Sequence, residues 1–317
     1  MKRLIKIKDN GVVVGLGLSL FLIWGGFYLS YPNFFELQKK AEQIAKQKNV
    51  EQKEINQALA FGRLNLTAKA FAVYDIETGE LIAGQNTQEI RSLASITKIM
   101  TALVASDDLG LKTTVSINQT TDANNGGLRQ GEKWSLGNLI ALTLVSSSND
   151  GALALAQTGQ NLNQADFITK MNAKALTLNL PDLHFTNVTG LDDKPTPGGV
   201  GSALSVAKLF AYILKNQPEL LLATKESVVQ EKSLNNFNHT ILNTNEIIND
   251  IPGLLASKTG YTLLAGGNLA IVANLGLRRP IAIIVLGSSE NERFTDTKKL
   301  IEATLNYYSN STLPERG

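Results

Sequence analysis

The chain has 317 residues, 43% of them hydrophobic, enough to bury one large core or two modest ones. With 30 Lys and Arg against 28 Asp and Glu, the formal charge of +2 gives no electrostatic ground for a nucleic-acid partner. The absence of cysteine excludes thiol catalysis, iron–sulfur clusters and thiolate-held zinc, and the two histidines, His184 and His239, leave little room for a histidine metal site.

Lys2, Arg3, Lys6 and Lys8 open the chain as a short cytoplasmic segment over 1–10. Residues 11–31 (GVVVGLGLSLFLIWGGFYLSY) carry no charge, and at ~1.5 Å per residue they match a hydrocarbon core of ~30 Å. Trp24 and Tyr28 lie toward the far end and no small-residue cleavage site follows closely. This reads as an uncleaved transmembrane signal-anchor, with a cleaved secretory signal as the alternative; either exports the remainder. Residues 32–58 are rich in Glu, Lys, Gln and Ala with sparse apolar positions, as in a solvated helical stalk or linker.

One folded domain is expected over 59–309, followed by a frayed tail over 310–317. FAVYDIETGELIAG gives two apolar runs around Glu77-Thr78-Gly79, a hairpin signal, and helical periodicity dominates from Ser95 to about Leu214. GGNLAIVANL and RRPIAIIVLGSS are β-branched runs separated by 276–279, and RFTDTKKLIEATLNYY closes the domain as an amphipathic helix. Strands at both ends with helices between predict an α+β domain whose terminal strands share one antiparallel sheet. The glycine-rich stretches Asn124 to Gly127 and Gly198 to Gly201 read as turns, and Asp150 as a helix N-terminal residue.

Three short motifs follow in order: Ser95-Ile96-Thr97-Lys98, Ser147-Ser148-Asn149 and Lys258-Thr259-Gly260. Each alone is weak, since a second SxxK lies at Ser205 to Lys208 and SxN recurs at Ser116, Ser233 and Ser289. Their context is stronger: the first opens an apolar helix, the second lies between two helical runs, and the third begins the late β region. A serine hydroxyl needs a neighbouring base to become a nucleophile, and with so little histidine lysine is the candidate. Ser95 and Lys98, three apart on a helix, share a face. Burial and a second lysine, Lys258, would both disfavour protonation of Lys98 and leave an amine able to take the serine proton. The Ser95 amide at a helix start is a plausible half of an oxyanion hole.

These motifs resemble those of the penicillin-recognising serine enzymes. Within that group, the stretch from about Phe71 to Tyr308 is most similar to the low-molecular-mass D-alanyl-D-alanine carboxypeptidases, through RSLASITKIMTALVA, LTLVSSSNDGALALA, FITKMNAKALTLNLPDLHFTNVTGL and SKTGYTLLAGGNLAIVA. The resemblance implies a β-lactamase/DD-peptidase-like fold: a five-stranded antiparallel sheet flanked by helices, with an all-helical part and the cleft between them. It implies that Ser95 attacks the penultimate D-Ala carbonyl, with Lys98 as general base and Ser147 relaying the proton to the leaving amine. Asn149 would hold the substrate amide and orient Lys98. Lys258 and Thr259 would bind the terminal carboxylate, with Gly260 beside them, and the amides of Ser95 and Tyr261 would form the oxyanion hole. No metal or nucleotide cofactor is implied. The partners are a peptidoglycan stem peptide ending in D-Ala-D-Ala, β-lactams as covalent inhibitors, and the bacterial cell membrane through the single N-terminal span, with the catalytic domain outside.

Some positions depart from the pattern. Ser148 stands where glycine is usual, Ala256-Ser257 replace glycine and an apolar residue, and Leu263 replaces a frequent acidic residue. Where the family often has a carboxylate-binding arginine, in NFNHTIL, this chain has Phe237 or His239. The region LNLPDLHFTN lacks the deacylating glutamate of a class A β-lactamase. A DD-endopeptidase on cross-linked peptide and a catalytically silent wall-binding module stay open, while a glutaminase of the same fold would need no export anchor.

Overall fold

The computed structural model describes residues 34–121, 126–158 and 164–310. The transmembrane stretch expected at 11–31, residues 122–125 and 159–163 and the tail from 311 lie outside the described residues. Among the described residues no helix is long and apolar enough to cross a membrane. The chain divides into two units, 1–55 and 56–317.

Helix α1 (Phe34–Phe61) crosses that boundary. In the first unit its residues 36–52 are all exposed, and its Lys, Gln, Glu and Ala are strong helix formers that need no packing partner to favour the helix locally. Gln47 donates to Glu51 one turn on. In the second unit Phe61 packs against Tyr307, ring centroids 6.2 Å apart.

The second unit opens with β1 (Ala70–Asp75) and β2 (Glu80–Gln85), joined by a turn in which the Asp75 carboxylate accepts the N–H groups of Glu77 and Thr78. A short β3 (Arg91–Ser92) leads through a 3₁₀ turn, Ala94–Ile96, into α2 (Thr97–Leu109). The two-stranded pair β4 (Thr114–Ser116) and β5 (Lys133–Ser135) precedes α3 (Leu136–Val145), α4 (Asn149–Gln157) and α5 (Gln164–Thr177). Next come β6 (His184–Phe185), β7 (Gly199–Gly201) and α6 (Ala203–Asn216), then the hairpin β8 (Val228–Lys232) and β9 (Asn238–Leu242). The chain closes with β10 (Leu254–Thr262), β11 (Gly266–Ala273), β12 (Ile281–Ser288) and α7 (Glu292–Asn310).

The main sheet has the order β10-β11-β12-β1-β2, every neighbouring pair antiparallel. The two ends of the domain meet where Ala70 opposes Leu286 and Asp75 opposes Ile281. Strand alternation explains the two apolar clusters. Ala70, Ala72, Val272, Ala282 and Ile284 face the cluster that includes α2, α3 and α6, and Val73, Ile271, Ile283 and Val285 face the one built with α7. With both faces covered, β11 and β12 read as continuous apolar runs instead of alternating ones.

The short strands β3 to β9 were invisible to periodicity. The segment 198–201, expected to be only a turn, contributes strand β7 to a three-stranded sheet, β3-β7-β6. Its glycines answer to crowding: a Cβ on Gly199 would lie 2.4 Å from Thr97 Oγ1, just beyond the nucleophile candidate.

Candidate active site

Ser95 sits in the 3₁₀ turn at the head of α2, after Ala94, whose φ of +48° is uncommon for a residue with a side chain. Two glycines allow other backbone to close on this turn. Gly190, at φ +80°, lies so near that a Cβ there would be 1.9 Å from the Ala94 carbonyl oxygen. On the other side Gly260 faces Leu93 to Ser95, where a Cβ would meet Leu93 O at 2.9 Å and Ser95 N at 3.1 Å. This contact sets strand β10 against the Ser95 amide at Gly260.

Lys98 is fully buried on the same helix face. Its Nζ lies 2.8 Å from Ser95 Oγ, 2.8 Å from Asn149 Oδ1 and 2.7 Å from the Thr189 carbonyl. The chemistry of these neighbours matters: the amide oxygen and the carbonyl can only accept, whereas the hydroxyl can also donate. An ammonium can donate to all three; once it has lost a proton, the amine keeps its N–H bonds to Asn149 and Thr189 and turns its lone pair to the Ser95 O–H. That is the arrangement a base needs before attack. Asn187 fixes the Thr189 carbonyl, its side-chain oxygen accepting from the Thr189 and Gly190 amides at 3.1 and 2.8 Å.

Ser147 lies in the linker between α3 and α4 at φ +61°, a strained conformation of the kind that collects at functional sites. Ser148, the departure from glycine, caps α4 by accepting the Gly151 N–H at 2.9 Å. Asn149 is thereby the first residue of a fixed helix. Asp150 accepts from Thr121, so it ties a neighbouring loop to α4.

Lys258 comes from β10, an edge strand of the main sheet, and is 1% exposed. Its Nζ donates to Ser147 Oγ and to the Thr259 carbonyl, both at 2.9 Å. Burial pushes the Lys258 ammonium well below the ordinary lysine range, and the nearby positive charges of Lys98 and Arg293 push the same way. The site is thus electropositive and desolvated, poised for an anionic group.

The sequence reading missed Arg293, Thr189 and Thr244. Arg293, at the start of α7, is buried; its Nη1 donates to the Gly260 carbonyl at 3.0 Å while its guanidinium lies 4.7 Å from the Phe294 ring centroid. Thr244, in the sequence Asn243-Thr244-Asn245 after β9, places its hydroxyl 2.5 Å from that of Thr259. Phe237 and His239, which stand where the family often has a carboxylate-binding arginine, are both engaged elsewhere. His239 points into a buried cluster, 3.1 Å from Glu132 Oε1 and packed on Trp134, and Phe237 lies beneath Arg129. The alternation of β9 turns His239 inward among its cluster, and Thr244 is the side chain beyond that strand which reaches Thr259.

The other SxxK does not form a pair. Ser205 is buried and donates to Asp182 at 2.5 Å, whereas Lys208 is exposed on α6. Asp182, the acidic residue in the region where a β-lactamase glutamate would be sought, is thereby engaged with Ser202 and Ser205.

A serine held against a buried lysine, with a second serine–lysine pair opposite and an edge strand alongside, defines an active-serine acyl-transfer site on a mixed helix and sheet fold. The family profile described as D-alanyl-D-alanine carboxypeptidase matches residues 49–290, and the chain belongs to that family. It is 29% identical over 258 residues to D-alanyl-D-alanine carboxypeptidase DacF of Bacillus subtilis, covering 78% of this chain and 65% of that protein. The chain thus spans just under two thirds of the length of that relative. A D-alanyl-D-alanine endopeptidase of Pseudomonas aeruginosa is 28% identical over 244 residues, covering 74% of this chain and 76% of its own. Among solved structures, the ampicillin-bound form of penicillin-binding protein D2 from Listeria monocytogenes superposes with a TM-score of 0.67 at 30% identity, covering 77% of this chain and 99% of that one.

Proposed function

We propose that this protein is a penicillin-sensitive serine D-Ala-D-Ala carboxypeptidase that removes the terminal D-Ala from peptidoglycan stem peptides. The observation that carries the reading is the convergence of two serine–lysine pairs drawn from three separate stretches of chain: Lys98 bonds both Ser95 and Asn149, Lys258 bonds Ser147, and the two lysines lie near enough to repel each other. A peptide laid along the free edge of β10 would place its C-terminal carboxylate near Lys258 and Thr259 and its scissile carbonyl over Ser95. Ser95 Oγ then bonds to the carbonyl carbon as its proton passes to Lys98. The negative oxygen is held by the amides of Ser95 and Tyr261. The C–N bond to the terminal D-Ala breaks as a proton reaches the leaving amine through Ser147, with Lys258 holding that hydroxyl in place. Water hydrolyses the resulting ester and restores Ser95.

Attack on the same D-Ala carbonyl where it is joined to the amine of a neighbouring peptide, with that amine leaving, would make the protein an endopeptidase, a reading favoured by the similarity to the Pseudomonas enzyme. Residues 11–31 act in this proposal as a single membrane anchor, with 32–58 as a stalk and the catalytic domain outside. Detergent-solubilised full chain, assayed for D-Ala release from a pentapeptide beside Ser95→Ala, tests the reaction. Release that persists without Ser95 would sink it, and release from a cross-linked dimer alone would favour the endopeptidase. Membrane fractionation with protease added from outside tests the anchor: a protein left in the soluble fraction would refute it.

A further inference from the structure

We propose that Thr244 is a positioning residue for anionic substrates, setting the direction of the Thr259 hydroxyl so that the pair gives one proton to the substrate's terminal carboxylate. The inference rests on the acyl-transfer reading above and names what that site recognises. Two hydroxyls 2.5 Å apart share one hydrogen bond, so of their two protons one is consumed between them and one is left over. In the orientation in which Thr244 donates, the proton left over is that of Thr259, in the motif beside Lys258. A carboxylate accepts and never donates, so it selects the state in which the pair presents that proton.

Thr244 is placed rigidly enough for this task. Its backbone N–H donates to Val145 O at 3.2 Å, two residues before Ser147. The Asn243 side chain donates to Thr224 O and Glu226 O, and its oxygen accepts the Asn245 N–H. Thr224 in turn binds Ser257, just ahead of Lys258, through both its hydroxyl and its carbonyl. One cluster therefore fixes Thr244 against both the Ser147 linker and the β10 motif. Lys258 is meanwhile directed at Ser147 and the Thr259 carbonyl, which leaves hydroxyl groups a larger share of carboxylate recognition.

The test uses the full chain as wild type, Thr244→Val, which keeps the shape and removes the hydroxyl, and Thr244→Ser, which keeps the hydroxyl. Substrates are a stem pentapeptide with a free C-terminal carboxylate and the same peptide as its C-terminal carboxamide. Thr244→Val is expected to raise KM for the acid ~10-fold with little change in kcat, and to lower the acid-to-amide preference by the same factor, as loss of a charge-assisted hydrogen bond implies. Thr244→Ser should restore the preference. A preference unchanged in Thr244→Val, whether both substrates hold or both fall alike, overturns the proposal. In parallel, the rate of covalent labelling by benzylpenicillin and by its methyl ester reads the same preference without turnover. Wild type that is labelled but releases no D-Ala would remove the carboxypeptidase reading alone, and the labelling ratio would still decide the role of Thr244.

Discussion

Gly260→Ala offers the most direct test of the site's construction. The added methyl would meet Leu93 O at 2.9 Å, Ala94 Cβ at 3.1 Å and Ser95 N at 3.1 Å, where ordinary contact begins near 3.4 Å. The obstructing atoms belong mostly to backbone, and β10 cannot simply retreat, because Arg293 holds the Gly260 carbonyl at 3.0 Å and β11 holds the other edge. The nucleophile turn must therefore shift by a few tenths of an ångström. Overpacking of this kind costs roughly 1–3 kcal/mol of stability. The chemical cost should be of similar size: if a 1 Å misplacement costs ~100-fold in rate, about half that shift gives ~10-fold, or ~1.4 kcal/mol. The assay is the second-order rate of Ser95 acylation by a β-lactam, followed by mass of the covalent adduct, beside a thermal melt. A variant that melts lower yet acylates at the wild-type rate would refute the claim that this contact positions Ser95.

Asp75→Ala should behave in the opposite way. Asp75 is buried and accepts from Arg279 at 2.8 Å and Tyr308 at 2.9 Å, far from Ser95 in the strand order, so its loss should cost ~3–5 kcal/mol in denaturant midpoint analysis while acylation at low temperature persists. Burial alone would raise the Asp75 carboxyl, but hydrogen bonds from Thr78, Tyr308 and Arg279 outweigh it and hold it below 3.8. Its stabilisation is thus complete above that value and fades as pH falls through the lowered one; a wild-type minus Asp75→Asn stability difference that grew on acidification would contradict this. Lys258 carries the other sign. Held below 10.5 in the fold, it binds fewer protons there than in the unfolded chain, so Lys258→Met should stabilise most at low pH and progressively less as pH approaches 10.5, as melts across pH would show. Ser205→Ala should lose ~1 kcal/mol with its bond to Asp182 and leave acylation intact, whereas Lys98→Ala should abolish labelling; the reverse pattern would exchange the two SxxK motifs.

Much of this architecture is legible along the chain because it depends on neighbours. The β1–β2 turn follows from Asp75 bonding residues two and three ahead, and α4 and α6 begin where Ser148 and Ser202 cap them. The apolar runs of β11 and β12 announce strands covered on both faces. The short strands β3 to β9, of 2 to 5 residues, are too brief for a period to register.

The three motifs supplied the cast of the site, and local spacing supplied one pair, Ser95 with Lys98. Everything else about the site is long-range. Asn149 reaches Lys98 across 51 residues and Ser147 reaches Lys258 across 111. Which SxxK is usable was settled by packing, since burial puts Lys98 against its serine and exposure takes Lys208 away from Ser205. Thr189, Thr244 and Arg293 carry no signal of their own, because a carbonyl, a hydroxyl and a guanidinium become part of the chemistry only where the fold delivers them. The sequence by itself determined the longer elements and the pairing of Ser95 with Lys98, which rest on interactions within a turn or two. Only the tertiary structure decided the second lysine's depressed charge and the paired hydroxyls, because desolvation and contact between distant strands exist only once the core has closed.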